Sequence, residues 1–332
     1  MLTAPRCSAS LLLAVALVLA GCTADAGGGE SPSAATTSAA PRSTAAEGYP
    51  VFAAEDVQEA RLRLPGGPDW LAVAEDGVWV KRDDSTLDRL DPDTGRSALS
   101  VELSGGLCQG VGAGLGAVWA CRDIDVVRVD PVSGEVTAVF PLNKAASQGH
   151  LVTASGRLWV LTGDGSTLLG VDPTSGTVVT TVALGARGTD LGAGPAGLWV
   201  ASQPDGQVLR VDPDAGTVAV RATGLDRPLA VAVTDQVWAG GSDATVRLDP
   251  TTGVVQVTAA IGIGLDGGIA AGPGAVFLRN GERFLVRLDA STGAPVSGVS
   301  ADVESAGDVV VAFGSVWTTA SDDAALFRLP AG

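Results

Sequence analysis

Histidine is almost missing from this chain: His150 is the one imidazole in 332 residues. That scarcity excludes sites built on a histidine cluster, most catalytic zinc centres among them. Positive charge is scarce too. Lys and Arg total 21 against 37 Asp and Glu, for a formal net charge of −16. A surface of that sign repels a polyphosphate, which excludes nucleic acid as a partner. Aromatic residues make up only 4% of the chain. No CxxC pair, GxxxxGK[ST] phosphate loop or GxSxG nucleophile elbow occurs, so no cofactor, metal or covalent-catalysis motif is assigned. The longest apolar run, Leu11 to Ala20, is too short to cross a bilayer core of ~30 Å as a helix.

What is abundant is turn chemistry and small apolar residues. Glycine (45) and proline (18) are plentiful, and 46% of residues are apolar, enough for a sizeable core. The length allows one large domain or two small ones. At the N-terminus, Arg6 precedes the apolar run, which ends in Leu19-Ala20-Gly21-Cys22. A basic start, a short apolar stretch and small residues read as a secretory signal peptide over residues 1–21. The Leu-Ala-Gly-Cys tetrad resembles the lipobox of bacterial lipoproteins. The resemblance implies cleavage before Cys22 and a lipid on Cys22, so the chain is expected in the bacterial cell envelope, extracytoplasmic and anchored to a membrane. Residues 22–50 are dominated by Ala, Gly, Ser, Thr, Pro and Glu. They lack apolar side chains to offset folding entropy and read as a flexible tether, with a coil dimension of about 28 Å.

Residues 51–332 repeat. Trp79, Trp119, Trp159, Trp199, Trp238, Phe277 and Trp317 are separated by 40, 40, 40, 39, 39 and 40 residues. A second marker keeps step, as in Val129-Asp130-Pro131 and Val211-Asp212-Pro213, each followed by a glycine. Within one unit, Asp190–Gly194, Leu198–Ser202, Val208–Asp212 and Thr217–Ala222 read as four short strands. A tight turn at Pro213–Gly216 joins the last two. Four antiparallel strands per ~40 residues match a propeller blade. The expected fold is therefore all-β: a seven-bladed β-propeller of four-stranded antiparallel blades. The last unit stops one strand short, and Ala60–Leu64 has no unit of its own. Pairing the two closes the ring and removes an exposed sheet edge. A closed ring of this kind is expected to be monomeric.

The unit Gly-x-x-Leu-Trp-Val … Val-Asp-Pro-x-x-Gly-x-Val-Val resembles the YVTN-type and streptogramin B lyase-like propeller repeats of bacteria, from about residue 60 to residue 332. The resemblance implies the propeller architecture. For the lyase of that group it implies a histidine, an acid and a magnesium ion at the mouth of the central channel. Of that set, this chain offers one histidine, His150.

Residues that recur in every unit are read as architecture. The tryptophans pack between blades, and the Asp-Pro pairs shape turns. Arg89, Arg128, Arg210, Arg247, Arg287 and Arg328 are expected to cover apolar surface and pair with a local acid. Unique residues point to function. Counting nine back from each tryptophan reaches the start of the innermost strand, at the channel mouth. Trp70, His150, Asp190 and Asp308 stand there, with Arg227 in the shorter fifth unit. Loops between second and third strands bring Arg122 and Arg279 towards the same mouth. This mixed-charge ring is the candidate ligand site; a merely solvated rim is the alternative. Without a nucleophile or metal motif beside His150, no catalytic residue is assigned. The chain reads as a binding or interaction module for an envelope protein or a small molecule. The alternatives are a lyase- or hydrolase-type enzyme at the mouth and a purely structural envelope component.

Four cysteines remain to be placed. With Cys7 removed by processing and Cys22 lipidated, Cys108 and Cys121 are the remaining pair. In an exported protein they predict a disulfide. A turn centred on Gly114-Leu115 sets them opposite one another across the first hairpin of the second unit.

Overall fold

β-branched residues alternate with Gly-, Pro- and Asp-containing turns along the whole body, so the backbone runs as short strands reversed by tight turns. The computed structural model describes residues 48–57, 60–105, 108–145, 149–305 and 307–332. In it these strands form seven sheets. Expectations for residues 1–47, including the signal peptide, Cys22 and most of the tether, lie outside the described residues. Among the described residues the sole helical turn is Ala54–Asp56, and no helix among them is long and apolar enough to cross a membrane.

Blade 4 shows the unit. From the centre outwards it runs Asp190–Gly194, Gly197–Ser202, Gln207–Asp212 and Thr217–Thr223, all antiparallel. The innermost strands of blades 1 to 7 are Pro68–Ala74, Val111–Gly114, Val152–Ala154, Asp190–Gly194, Ala230–Val233, Ile269–Gly272 and Val309–Ala312. Each packs against the next, and the seventh packs against the first, so the sheets form a ring. The N-terminal strand Arg61–Arg63 completes blade 7 by pairing antiparallel with Ala325–Pro330, as the strand count requires. A second N-terminal strand, Val51–Ala53, adds in parallel to Pro295–Ser300 at the outer edge of blade 6. Only three residues long, it gives little sequence signal. Its place is prepared by Gly298, whose amide donates to the Pro50 carbonyl at 2.9 Å; a Cβ there would press on the Tyr49 ring.

The repeated residues do structural work. All six repeat tryptophans are fully buried. The Trp119, Trp159, Trp199 and Trp317 indoles donate to backbone carbonyls of their own first hairpin at 3.0–3.3 Å. On the neighbouring strand an arginine faces five of the six rings across the sheet, as in Trp119 opposite Arg128 and Trp317 opposite Arg328. Those guanidiniums lie 6.0 and 5.5 Å from the ring centres, within cation–π range.

The expected partner of these arginines, a local acid, is met at Arg89, which pairs with Asp76. More generally they reach the next blade's turn. Arg89 donates to Pro131 O at 3.0 Å, Arg247 to Ala290 O at 2.8 Å, and Arg328 of blade 7 to Asp93 O of blade 1. Blade 3 has Gly170 in the arginine position, opposite Trp159. There Arg157, on the second strand, donates instead to Pro213 O of blade 4 at 2.6 Å.

The Asp turns on this face are alike. Asp130 Oδ1 accepts the amides of Val132 and Ser133 at 3.0 and 2.8 Å, and Gly134 closes the turn in the left-handed region at φ 73°. These bonds hold the Asp130 carboxyl below the usual carboxylate range, because they stabilise its charged form.

Candidate functional site

The opposite face carries the channel mouth. Four of the residues that the nine-residue count selects meet there. His150 stands at the entry to blade 3, Asp190 opens blade 4, Asp308 precedes the innermost strand of blade 7, and Trp70 belongs to blade 1. His150 Nδ1 lies 2.9 Å from Asp190 Oδ1, and His150 Nε2 lies 3.1 Å from Asp308 Oδ2. The imidazole is thus held at both nitrogens by carboxylates from two different blades. Trp70 meets it edge-on, with ring centres 4.9 Å apart.

Each carboxylate also crosses to the next blade. Asp308 Oδ2 accepts the Leu71 amide of blade 1 at 2.8 Å, and Asp190 Oδ2 accepts the Val231 amide of blade 5 at 3.3 Å. Asp190 and Asp308 are buried, while 22% of the His150 side chain is exposed. Burial alone would lower the His150 pKa. The charges of Asp308 and Asp190 outweigh it and hold the imidazolium well above the usual histidine value. Two opposite charges at hydrogen-bond range are the strongest arrangement for keeping that proton.

Around this triad lies a cavity of about 830 Å³, and Trp70, His150, Asp190 and Asp308 all line it. Its wall also carries Asp69, Asp266, Glu304 and Asp322, and one further cation, Arg187, in addition to the paired His150. Asp69 is a strongly perturbed acid of the mouth. Its carboxyl is pushed up to about 7 by burial, with Asp83, Asp308 and Asp322 adding like-charge repulsion. A bulge explains its position: Pro68 pairs with Arg82 and Trp70 with Lys81, so Asp69 is an extra residue on the inner strand. Bulges re-aim a side chain where regular pairing would fix it. Asp69, Gln109 and Asp322 are cavity residues that sequence reasoning missed. A count with one residue of slack would have reached Asp69 and Gln109, the neighbours of Trp70 and Gly110.

The three arginines of the predicted ring lie elsewhere and do not line this cavity. Arg227 is exposed and donates to Ser242 Oγ at 2.8 and 3.0 Å. Arg122 is half-buried at the end of the second strand of blade 2. Arg279 is fully buried. It donates to Asn280 O, Phe284 O, Ser305 O and Thr319 O, and burial lowers its pKa to about 10. It bridges blade 6 to blade 7 as a seam residue.

The disulfide joins Cys108 to Cys121, with Cα atoms 5.8 Å apart. The register differs from the expected one. The turn is centred on Leu115-Gly116, both in the left-handed region at φ 55° and 72°, the signature of a two-residue primed turn. Gly110, not Cys108, therefore faces Cys121, whose amide donates to Gly110 O at 2.8 Å. Cys108 reaches across diagonally because the chain has already left the strand ladder, which begins at Val111. Gln109, next to Cys108, lines the mouth cavity and donates to Asp83 Oδ1 at 2.7 Å.

The donor set does not fit the magnesium site of the lyase-like group. A ligating histidine must be neutral at the bonding nitrogen, and both His150 nitrogens face carboxylates. Among the described residues, no group of three or more His, Cys, Asp or Glu is arranged to hold a metal ion.

No protein-family model matches the chain, and no curated protein matches it in sequence. Among solved structures it is similar to BamB from Moraxella catarrhalis, at 14% sequence identity and a TM-score of 0.56 over 78% of this chain and 81% of that one. At that identity the likeness shows the fold alone, a β-propeller built from repeated blades.

Proposed function

We propose that this chain is a lipid-anchored, extracytoplasmic propeller of the bacterial envelope that acts as a binding module, with its ligand or protein partner seated in the channel mouth. The observation that carries the reading is the mouth cavity. It gathers Trp70, His150, Asp190 and Asp308, unique positions of an otherwise repeated body, into one concavity of about 830 Å³. Ligand sites are typically concavities of that size with a few convergent polar groups. Carboxylates outnumber cations on its wall, which favours a ligand that presents a basic group. The lipobox-like Leu19-Ala20-Gly21-Cys22 supports the anchor, and the Cys108–Cys121 bond fits an oxidising compartment. The repeat's resemblance to YVTN-type and streptogramin B lyase-like propellers fits a role in which architecture is shared and ligands differ. With both nitrogens of His150 engaged, a binding role fits the mouth better than general-base chemistry.

Photo-crosslinking from a mouth position in native envelope tests this reading. Wild type is expected to give a discrete adduct that Trp70→Ala with Asp322→Lys abolishes, while a turn-face variant such as Val132→Ser retains it. An adduct unchanged by the mouth substitutions overturns the reading. Anchoring is tested separately: Cys22→Ser should move the protein from the membrane to the soluble fraction.

A further inference from the structure

We propose that His150 is a proton-operated bolt across the channel mouth: as an imidazolium it ties blades 1, 3, 4, 5 and 7 into one network, and on losing its proton it lets go of one carboxylate and loosens that seam. The inference concerns how the mouth is held, and stands apart from what the cavity binds.

Geometry carries it. Adjacent blades of a propeller are joined by packing all round the ring, but blades 3 and 7 are not neighbours. His150 nevertheless contacts Asp308 directly at 3.1 Å, across 158 residues of sequence. On its other side it contacts Asp190 at 2.9 Å, and its own amide points at the same carboxylate at 3.3 Å. The two acids pass the connection on, Asp308 to the Leu71 amide and Asp190 to the Val231 amide. One side chain therefore couples five blades.

A neutral imidazole has one N–H and one lone pair. It can donate to Asp190 or to Asp308, but not to both, and the remaining nitrogen would point its lone pair at a carboxylate oxygen. The two-sided arrangement exists only while the ring is charged. The groups that face it are Asp190 from blade 4, Asp308 from blade 7 and the Trp70 ring edge from blade 1. Asp69 of blade 1 acts on Asp308 at one remove. The facing charges are all negative, so each favours the imidazolium. Because the folded-state pKa lies above the unfolded value, the stabilisation is complete below about pH 6.5 and is lost as pH rises through the folded value.

The protein supplies its own probe. It contains one histidine, so in tag-free protein the single imidazole Cε1–H signal of a 1H–13C correlation spectrum reports His150 without assignment. Its titration midpoint is expected well above 6.5, and to fall by a unit or more in Asp308→Asn and in Asp190→Asn. Amide hydrogen exchange reads the seam. Protection factors of Leu71 and Val231, corrected for intrinsic rate, should drop at least tenfold as the histidine deprotonates in wild type. In His150→Gln they should be low and flat with pH. A histidine midpoint near 6.5 in wild type overturns the proposal, whatever the variants do. An elevated midpoint with unchanged protection of Leu71 and Val231 overturns it too, since the ion triad would then hold no seam.

Discussion

On the turn face of the ring, Asp130 accepts two backbone amides and the Ser133 hydroxyl, and the same pattern recurs at Asp91, Asp172 and Asp249. On the mouth face, Asp69 accepts none of these and sits among Asp83, Asp308 and Asp322. The same residue type is driven in opposite directions. Turn-face carboxyls lie below the usual range because their charge is bonded; Asp69 rises to about 7 because its charge is buried and repelled. A repeat can optimise a local turn once and copy it around the ring. The mouth is assembled from positions that vary from blade to blade, so its acids are offset by Arg187 on the wall and by what crosses the channel. His150 is that crossing element, and the excess of acid left over is available to a ligand.

The largest test of this contrast falls on the repeated interior. If the copied positions carry the stability, Trp159→Ala should cost about 3–5 kcal/mol, read as a shift in the urea midpoint with an unchanged slope. The indole is fully buried and closes the first hairpin through Ala154 O. A loss below ~1 kcal/mol, as on a tolerant surface, would show that the repeat is not where the ring is held.

A unique element comes next. Replacing Cys108 and Cys121 together by serine opens a loop of sequence separation 13 and should cost about 3 kcal/mol or less. Both sulfurs are buried, so the native bond should resist mild thiols. Intact mass after alkylation, with and without reductant, checks the bond, and denaturation of the double variant checks the cost. Two alkylated thiols in unreduced protein would refute it.

How far the sequence revealed these two faces follows from their chemistry. The seven-fold spacing of Trp79 to Trp317 and the Asp-Pro turns made the blades legible, because each repeated residue answers to its own unit. Closure by Arg61–Arg63 was legible from a missing strand. The same counting reached Trp70, His150, Asp190 and Asp308, since the start of an inner strand lies at a fixed distance from its tryptophan. It could not say that His150 would reach Asp308, because the partners sit in non-adjacent blades and only ring closure brings them together. Asp69 escaped because a bulge displaces it from the regular count. Arg227 and Arg279 shared the mouth's charge pattern, but local acceptors claim them: Ser242 takes one and backbone carbonyls take the other. The disulfide was legible from cysteine arithmetic, whereas its register depended on a turn one residue further along than Gly114-Leu115.

Asp69→Asn sharpens the contrast at the mouth. An acid whose folded pKa is raised binds its proton more tightly in the native state, so stability falls as pH rises from about 4 to about 7. Asparagine removes that slope. Above pH 7 the variant should be more stable than wild type by on the order of 1–2 kcal/mol, the shift being discounted for partial exposure. Thermal melts at pH 5 and pH 8 decide it. A variant less stable than wild type at pH 8 would mean that the carboxylate is bonded rather than frustrated.

The smallest effect is expected on the turn face, and its sign is the reverse. Asp289 accepts the amides and hydroxyls of Ser291 and Thr292, which lower its pKa to about 2. Its folded value lies below its unfolded value of 3.8, so its contribution is present above pH 3.8 and is lost as pH falls towards 2. Asn at this position keeps an Oδ1 acceptor and can cap the same turn. Asp289→Asn should therefore match wild type at pH 7 and lose less stability on acidification. The difference in Tm between the two proteins, followed from pH 7 to pH 2, should stay near zero until about pH 4 and then favour the variant. Placed beside Asp69→Asn, it gives two aspartates of one ring whose substitutions bend the stability curve in opposite pH windows. A difference that opened between pH 4 and 7 instead would show that the turn carboxylate is as frustrated as the one at the mouth, and the division between the two faces would fail.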